Sequence, residues 1–347
     1  MPLILKKDNM RKIATCTLFI LCLFIVKAKA QDIHYSQFYA SPLTLNPALT
    51  GEIDGQYRIG VMYRNQWASI STPYVTPSIS FDWNGLFPKL IKTGTLSGGI
   101  LILNDQAGEG NLNDLTVNLS AAYRIFVGKG DRSNISIGLQ GGYNQESINF
   151  NNLTFQSEFD GSGFNPNQNT PVFGKSSFGY FNINGGVLYT SKISKNLDFY
   201  GGVAMFDINQ PKETFYNEGT NTLDAREVVH AGFRIGLTDK IALLPAALYM
   251  TQAGTYEFNI GTNLSYLIKT NNSDATLYVG GYYRVDDAVI AMVGIEYKSV
   301  RLGISYDINT SSLQTATNDK GAFELSLNYI GLFTLINEEP ILFCPRY

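Results

Sequence analysis

The 347-residue chain carries 26 basic and 29 acidic side chains, and that balance disfavours a nucleic-acid partner, which calls for a basic face. Two histidines and three cysteines leave little material for a metal centre or a disulfide framework. Charged residues make up only 16% of the chain, whereas aromatics reach 13% and glycines number 33, a composition that fits a wall whose residues alternate between lipid and lumen.

Residues 1–30 read as an export signal. Arg11 and Lys12 form a basic start, residues 13–26 an apolar core, and Ala28-Lys29-Ala30 a small-residue cleavage site before Gln31. The core spans about fourteen residues, short of the roughly twenty a helix needs to cross a bilayer. Cleavage between Ala30 and Gln31 would remove six basic and one acidic residue, leaving 20 basic against 28 acidic side chains. Cys16 and Cys22 would leave with the signal, so Cys344 stands alone and no intramolecular disulfide is available to the mature chain.

Residues 31–56 precede the first strand pattern and are rich in aromatics, with His34, Tyr35, Phe38 and Tyr39 followed by Ser41-Pro42 and Asn46-Pro47-Ala48. From residue 57 to 333 the chain becomes a series of segments about ten residues long in which every second side chain is apolar. The first sets Tyr57, Ile59, Val61 and Tyr63 outward against Arg58, Gly60, Met62 and Arg64; the second sets Val75, Pro77, Ile79, Phe81 and Trp83 against Thr76, Ser78, Ser80 and Asp82. A third follows near residues 96–103, and the fourth is the clearest, with Leu115, Val117, Leu119, Ala121, Tyr123 and Ile125 opposing Thr116, Asn118, Ser120 and Arg124. Ile135 to Tyr143, Phe181 to Tyr189 and Leu197 to Met205 continue the series, and residues 229–237, 241–249, 256–266, 277–285, 289–297, 300–308 and 323–329 complete it.

This pattern predicts an all-β fold: a transmembrane, antiparallel outer-membrane β-barrel of about fourteen strands. Alternate connections are long (residues 151–177, 209–225 and 309–320) and short (Thr238-Asp239-Lys240, Lys298-Ser299), as expected of external loops and periplasmic turns. Tyr57, Tyr63, Trp83, Tyr189, Tyr249, Tyr256, Tyr266 and Tyr297 fall near strand ends as candidate interfacial girdles, and residues 334–347 form a periplasmic tail. Pro77 and Pro245 each remove a ladder donor, so bulges are expected there.

By parity the lumen receives Arg58, Arg64, Arg124, Arg234, Arg284 and Arg301 together with Asp82, Glu257, Glu296, Asp307 and Glu324. Mixed signs point to ion pairs that brace the wall or hold a plug, not to a charge-selective pore. Inward Gly60, Gly138, Gly142, Gly186, Gly202, Gly232, Gly261 and Gly280 leave room for another backbone, and the N-terminal segment is expected to fill the lumen as a plug. Neither His34 nor His230 has metal-site spacing, and Asp160-Gly161-Ser162-Gly163 and the acidic run from Glu213 to Glu227 lack calcium-loop spacing, so no cofactor and no enzymatic activity are expected.

Several features exceed what a generic barrel requires. Gln31-Asp32-Ile33-His34-Tyr35-Ser36-Gln37-Phe38-Tyr39-Ala40, Leu45-Asn46-Pro47-Ala48-Leu49-Thr50-Gly51, Tyr63-Arg64-Asn65-Gln66-Trp67, Ser305-Tyr306-Asp307, Gly321-Ala322-Phe323-Glu324 and the closing Phe343-Cys344-Pro345-Arg346-Tyr347 together resemble the PorP/SprF family. The resemblance implies an outer-membrane part of the type IX secretion and gliding-motility machinery. It also implies export or surface attachment of a secreted adhesin through that protein's C-terminal sorting domain, and contact with the machine's periplasmic ring. Under this reading Arg64, Asn65, Gln66, Trp67 and Asp307 are candidate rim or partner contacts, with an Arg64–Asp307 pair possible. The tail residues Cys344, Pro345, Arg346 and Tyr347 face the periplasm, and outer-membrane lipid surrounds the wall. A transporter resembling fatty-acid channels remains the alternative; polar, Gly-rich inward faces count against it.

Overall fold

The computed structural model describes residues 33–332 except 71, 89–90, 92, 129–131, 166–173, 218 and 271–272. The expected export signal with its Ala30–Gln31 junction, and the tail with Cys344, Pro345, Arg346 and Tyr347, lie outside the described residues.

Fourteen strands form among the described residues. They are β1 Tyr57–Gln66, β2 Tyr74–Leu86, β3 Thr95–Ala107, β4 Leu112–Val127, β5 Ser133–Ser147, β6 Ser177–Ser194 and β7 Leu197–Phe206 in the first half. The second half holds β8 Arg226–Gly236, β9 Ile241–Gln252, β10 Thr255–Ile268, β11 Ala275–Arg284, β12 Ala288–Tyr297, β13 Val300–Asn309 and β14 Lys320–Gly331. Each strand is antiparallel to its neighbours in sequence, and β1 pairs with β14 from Tyr57↔Gly331 to Gln66↔Ala322, so the sheet closes. Closure is what a hydrocarbon surround demands, because an open edge would leave a row of backbone donors and acceptors with no water to bond.

Alternation carries through the walls. In β1, Gly60, Met62 and Arg64 are buried while Ile59, Val61 and Tyr63 are exposed; in β13, Gly303, Ser305 and Asp307 are buried while Ile304, Tyr306 and Ile308 are exposed. The most exposed mid-strand side chains form an apolar belt that includes Leu119, Leu139, Phe181, Val203 and Val279. The long connections 148–176 and 207–225 leave the end of the barrel opposite to the short turns 195–196 and 298–299.

Two expectations about the wall are corrected. Neither proline carries a bulge: Tyr63↔Pro77 and Thr262↔Pro245 sit in unbroken ladders, and on the other side the β2–β3 and β8–β9 pairings pass over the proline and resume in the same register. A missing N–H opens one rung of one ladder without adding a residue, so the alternation survives; the register shifts lie instead between Trp83 and Leu86, Lys192 and Ser194, and Tyr306 and Ile308. Nor is the lumenal face polar throughout. Ala204, Phe206, Val228, Ala246, Leu248, Met250, Tyr282 and Ile290 make an apolar patch on β7–β9, β11 and β12, where both faces of β9 are apolar.

The segment from Ile33 to Gln56 runs through the lumen, touching inward side chains of strands all round the barrel. Short helical turns at Phe38–Ala40, Pro42–Leu45 and Pro47–Leu49 shorten its path and pair many of its own backbone groups. Phe38 and Leu45 cover the apolar patch, Phe38 meeting Tyr282 edge-on with ring centroids 5.8 Å apart.

A lysine on the two faces should behave differently. Leu139→Lys, at a position 65% exposed to lipid, should destabilise the barrel by about 2–4 kcal/mol, whereas Asn182→Lys on the lumenal face of β6 should fold nearly as well as the parent. Urea midpoints in bilayers, read by heat-modifiable mobility, check this; equal midpoints would contradict the assignment of faces.

Candidate functional site

The N-terminal segment is held by carboxylates at both ends. At the loop-rich end the Glu324 carboxylate accepts the backbone N–H of Ser36 at 2.7 Å on Oε1 and that of Gln37 at 2.9 Å on Oε2. Arg64 Nη1 donates to the same Oε1 and lies 3.5 Å from Asp307 Oδ2. Asp307 Oδ2 also accepts from Ser36 Oγ at 2.7 Å and from Arg284 Nη2 at 2.5 Å, while Arg284 Nε reaches Asp287 at 2.6 Å. Ser305 Oγ and Ser326 Oγ complete the cradle through the Gln37 amide.

Arg64, Asp307, Glu324 and Arg284 are all almost fully buried. Charges taken out of water persist only when each is paired and its remaining bonding capacity is met. Four strands contribute two cations and two anions to one point, and the backbone N–H groups of Ser36 and Gln37 add two donors to Glu324, while Asp307 Oδ1 and Arg64 Nη2 are buried without a hydrogen-bond partner. The arrangement is specific to an extended turn at that place: moving the segment would strand the Glu324 lone pairs.

At the other end Asp82 takes Arg58 in a bidentate pair, at 2.9 Å on Oδ1 and 2.7 Å on Oδ2, and its Oδ2 accepts Gly51 N–H at 2.7 Å. Arg124 donates to Gly51 O at 2.6 Å and pairs with Glu52 at 2.7 Å. Gly51 adopts φ +69°, and a Cβ there would lie 2.3 Å from Ser97 Oγ, so glycine is required twice over.

Between the two clamps Asn46 joins three strands. Its Oδ1 accepts Ala48 N–H at 2.9 Å and caps the turn Pro47–Leu49, which orients the amide so that Nδ2 donates to Val187 O and Val203 O, each at 3.2 Å, and to His230 Nε2 at 3.1 Å. His230 therefore accepts on Nε2. Thr50 Oγ1 donates back to Pro47 O at 2.7 Å. Three of the eight inward glycines picked out by parity make room for this segment: a Cβ on Gly138 would meet backbone atoms of Pro47 and Ala48 at 2.2 Å, and Gly186 and Gly202 face the Asn46 amide. Gly60, Gly142, Gly232, Gly261 and Gly280 face neighbours in the wall instead.

Further bonds tie the remaining residues. His34 Nε2 lies 2.9 Å from Glu257, Tyr35 Oη donates to Ser78, and Tyr39 packs against Phe38 and Tyr282. Every inward arginine of the sequence pattern has a carboxylate beside it: Arg301 with Glu296 and Arg234 with Asp198 complete the set, near the opposite rim.

Arg64 and Asp307, expected as rim or partner contacts, are 2% and 0% exposed and are spent on Ser36, Glu324 and Arg284. Burial leaves them no face for another chain. Asn65, Gln66 and Trp67 lie at the loop-rich rim, where Trp67 takes φ +58°, donates its backbone N–H to Gly321 O and packs its ring edge-on against Tyr74 at 5.4 Å. In the loop 148–176, backbone N–H groups of Ser162 and Gly163 bond the Asp160 carboxyl and hold it below the usual carboxylate range, the geometry of a local turn. Among the described residues no group of three or more His, Cys, Asp or Glu side chains could hold a metal ion.

Sequence reasoning placed Glu324 and Arg284 in the lumen without assigning them a partner, and it missed the Asn46–His230 bond. The usable signal was the recurrence of charged residues inside the quoted motifs at inward parity. Asp307→Leu should leave Arg284 and Arg64 undercompensated and lower stability by about 3–5 kcal/mol in a urea titration, with Asp307→Leu/Arg284→Met recovering part of the loss. Gly138→Val cannot be relieved by side-chain rotation, because it meets backbone. It should expel residues 33–50 and make them sensitive to protease while the barrel keeps its heat-modifiable mobility; continued protection would count against the close approach.

A family model described as type IX secretion system membrane protein PorP/SprF matches residues 27–329. No curated protein matches the chain. Among solved structures it is similar to the toluene transporter TbuX of Ralstonia pickettii, with a TM-score of 0.50 and 9% identity over 84% of this chain and 92% of that one. It is also similar to the toluene transporter TodX of Pseudomonas putida, with a TM-score of 0.48 and 11% identity over 83% and 91%. At such identities the first likeness speaks only to the outer-membrane barrel fold, and the second carries no further weight. The family match takes in the clamped segment and nearly the whole wall, including every residue of both clamps: the chain belongs to the PorP/SprF family of type IX secretion system membrane proteins.

Proposed function

We propose that this protein reaches the outer membrane by signal-peptide-dependent export and there supports the export or surface attachment of a secreted adhesin-like protein. It holds that partner's C-terminal sorting domain at the loop-rich end and works with periplasmic ring components near its tail. Residues 31–56 act as a fixed plug. The observation that carries the reading is the double clamp: Glu324 at one end and Asp82 at the other fasten the chain's own segment across the lumen by buried, charge-assisted bonds. A barrel closed in this way is suited to holding a partner at its mouth more than to passing solute. Asn65, Gln66 and Trp67 at the rim are the side chains proposed to meet the partner.

The second reading, transport of small hydrophobic molecules, draws on the apolar lumenal patch and on the toluene transporter TbuX, which is similar in fold. Against it, Phe38 and Leu45 already cover that patch.

Crosslinking in native outer membrane, followed by purification and identification of what is retained, tests the leading reading: a large secreted protein should be recovered, and its surface display should fall on deletion of this chain. Recovery of small ligands alone, with normal display, would remove it. In planar bilayers the intact protein should show no steady conductance, and removal of residues 31–50 should open one; an open parent would refute the plug.

A further inference from the structure

On the outer face, at the short-turn end of the wall, a recess of about 480 Å³ opens across β12, β13 and β14, lined by Ile295, Tyr297, Lys298, Val300, Leu302 and Tyr329. Its shape follows from the register. Tyr297 of β12 pairs with Val300 of β13, and Val300 pairs with Tyr329 of β14, so two tall rings flank one short side chain in a single outward row. The rings stand two interstrand spacings apart, roughly 10 Å, and the slot between them has the width of one hydrocarbon chain. The next outward row, Ile295, Leu302 and Leu327, continues the apolar floor toward the middle of the wall.

The head of this slot is cationic. Lys298 sits in the two-residue turn between β12 and β13, and its Nζ lies 5.3 Å from the centroid of the Tyr297 ring. That ring is 46% exposed on the lipid side, so the ammonium stands over the outer face and not over the lumen. Among the described residues Lys298 has no ion pair; Glu296, the nearest carboxylate in sequence, points to the other face and is bonded by Arg301 and Tyr278. Lys298 also takes φ +57°, where glycine carries no strain, so backbone preference does not account for a lysine in this turn.

An unpaired cation above an apolar slot, at the level where the wall meets the headgroups, matches an amphipathic anion. A peptide laid in the slot would bring backbone donors and acceptors against hydrocarbon, and the wall strands, each already paired on both sides, have none to offer in return. An acyl chain raises no such demand. We propose that the slot binds one anionic glycerophospholipid from the leaflet at the short-turn end, its phosphate on Lys298 and one acyl chain over Val300 between Tyr297 and Tyr329. Tyr329 belongs to the strand that closes on β1, so the bound lipid lies beside the seam.

The full-length protein, stripped of lipid in a neutral detergent, is incubated with an equimolar mixture of phosphatidylglycerol and phosphatidylcholine of the same chains and weighed by native mass spectrometry. One phosphatidylglycerol per barrel should be retained in preference to phosphatidylcholine. Lys298→Gly removes the cation while relaxing the turn, and should cut that retention by about tenfold. Val300→Phe fills the slot with another apolar side chain and should likewise lower it, whereas Lys240→Ala, in the short turn before β9, should leave it unchanged. Heat-modifiable mobility confirms that each variant is folded. Equal retention of the two lipids, retention of neither, full retention in the Lys298 or the Val300 variant, or an equal loss in the Lys240 variant would overturn the proposal. So would a protein that takes up phosphatidylglycerol only after residues 334–347 are removed, which would assign the slot to the chain's own tail.

Discussion

The structure depends on closing the β1–β14 seam. In hydrocarbon an unpaired backbone group has no alternative partner, so a strand series with a greasy outer face is viable only when its first and last members pair. The seam runs from Tyr57↔Gly331 to Gln66↔Ala322 without interruption. It also brings Arg64 of β1 opposite Glu324 of β14, which are adjacent only because the barrel is closed. The ion cluster that grips Ser36 and Gln37 is thus a product of closure, and the N-terminal segment reports on it.

A wall of fourteen strands encloses more space than its own inward side chains fill, and the protein uses the excess for its N-terminal segment. Burying backbone there raises the same problem as burying it in lipid, since every N–H and C=O of the segment needs a partner. Short helical turns meet part of the demand internally. Wall side chains that bond the segment's main chain include Glu324, Asp82, Arg58, Arg124, Gln140, Asn328, Arg226 and Asn84. These bonds read the backbone more than the side chains. The exceptions are Ser36, Gln37 and Asn46, whose side chains each bond two or more wall residues.

The two halves of the lumen divide by polarity. Around β1, β13 and β14 charges neutralise one another against the segment, whereas around β3–β6 the carboxylates that line a lumenal cavity outnumber its one base. Ion pairing explains the first half as structure.

Period-two alternation by itself determined the fold class, the strand series and the inward or outward sense of side chains, because in a strand the face a residue occupies follows from its position alone. It also placed Arg64, Asp307 and Glu324 on one lumen. Of the inward charges only the Arg64–Asp307 pair was named from parity; that Glu324 and Arg284 join it was not readable, since the four residues come from four strands whose lateral register is set by closure. Ser36 and Gln37 could be placed only once the segment's depth in the lumen was known. The prolines misled for a related reason: a missing donor is local, while a bulge requires an extra residue, and only the pairing of both neighbouring strands decides between them. The partition of the eight glycines, three against the segment and five against the wall, was likewise left to the tertiary structure, because close approach is a relation between distant parts of the chain.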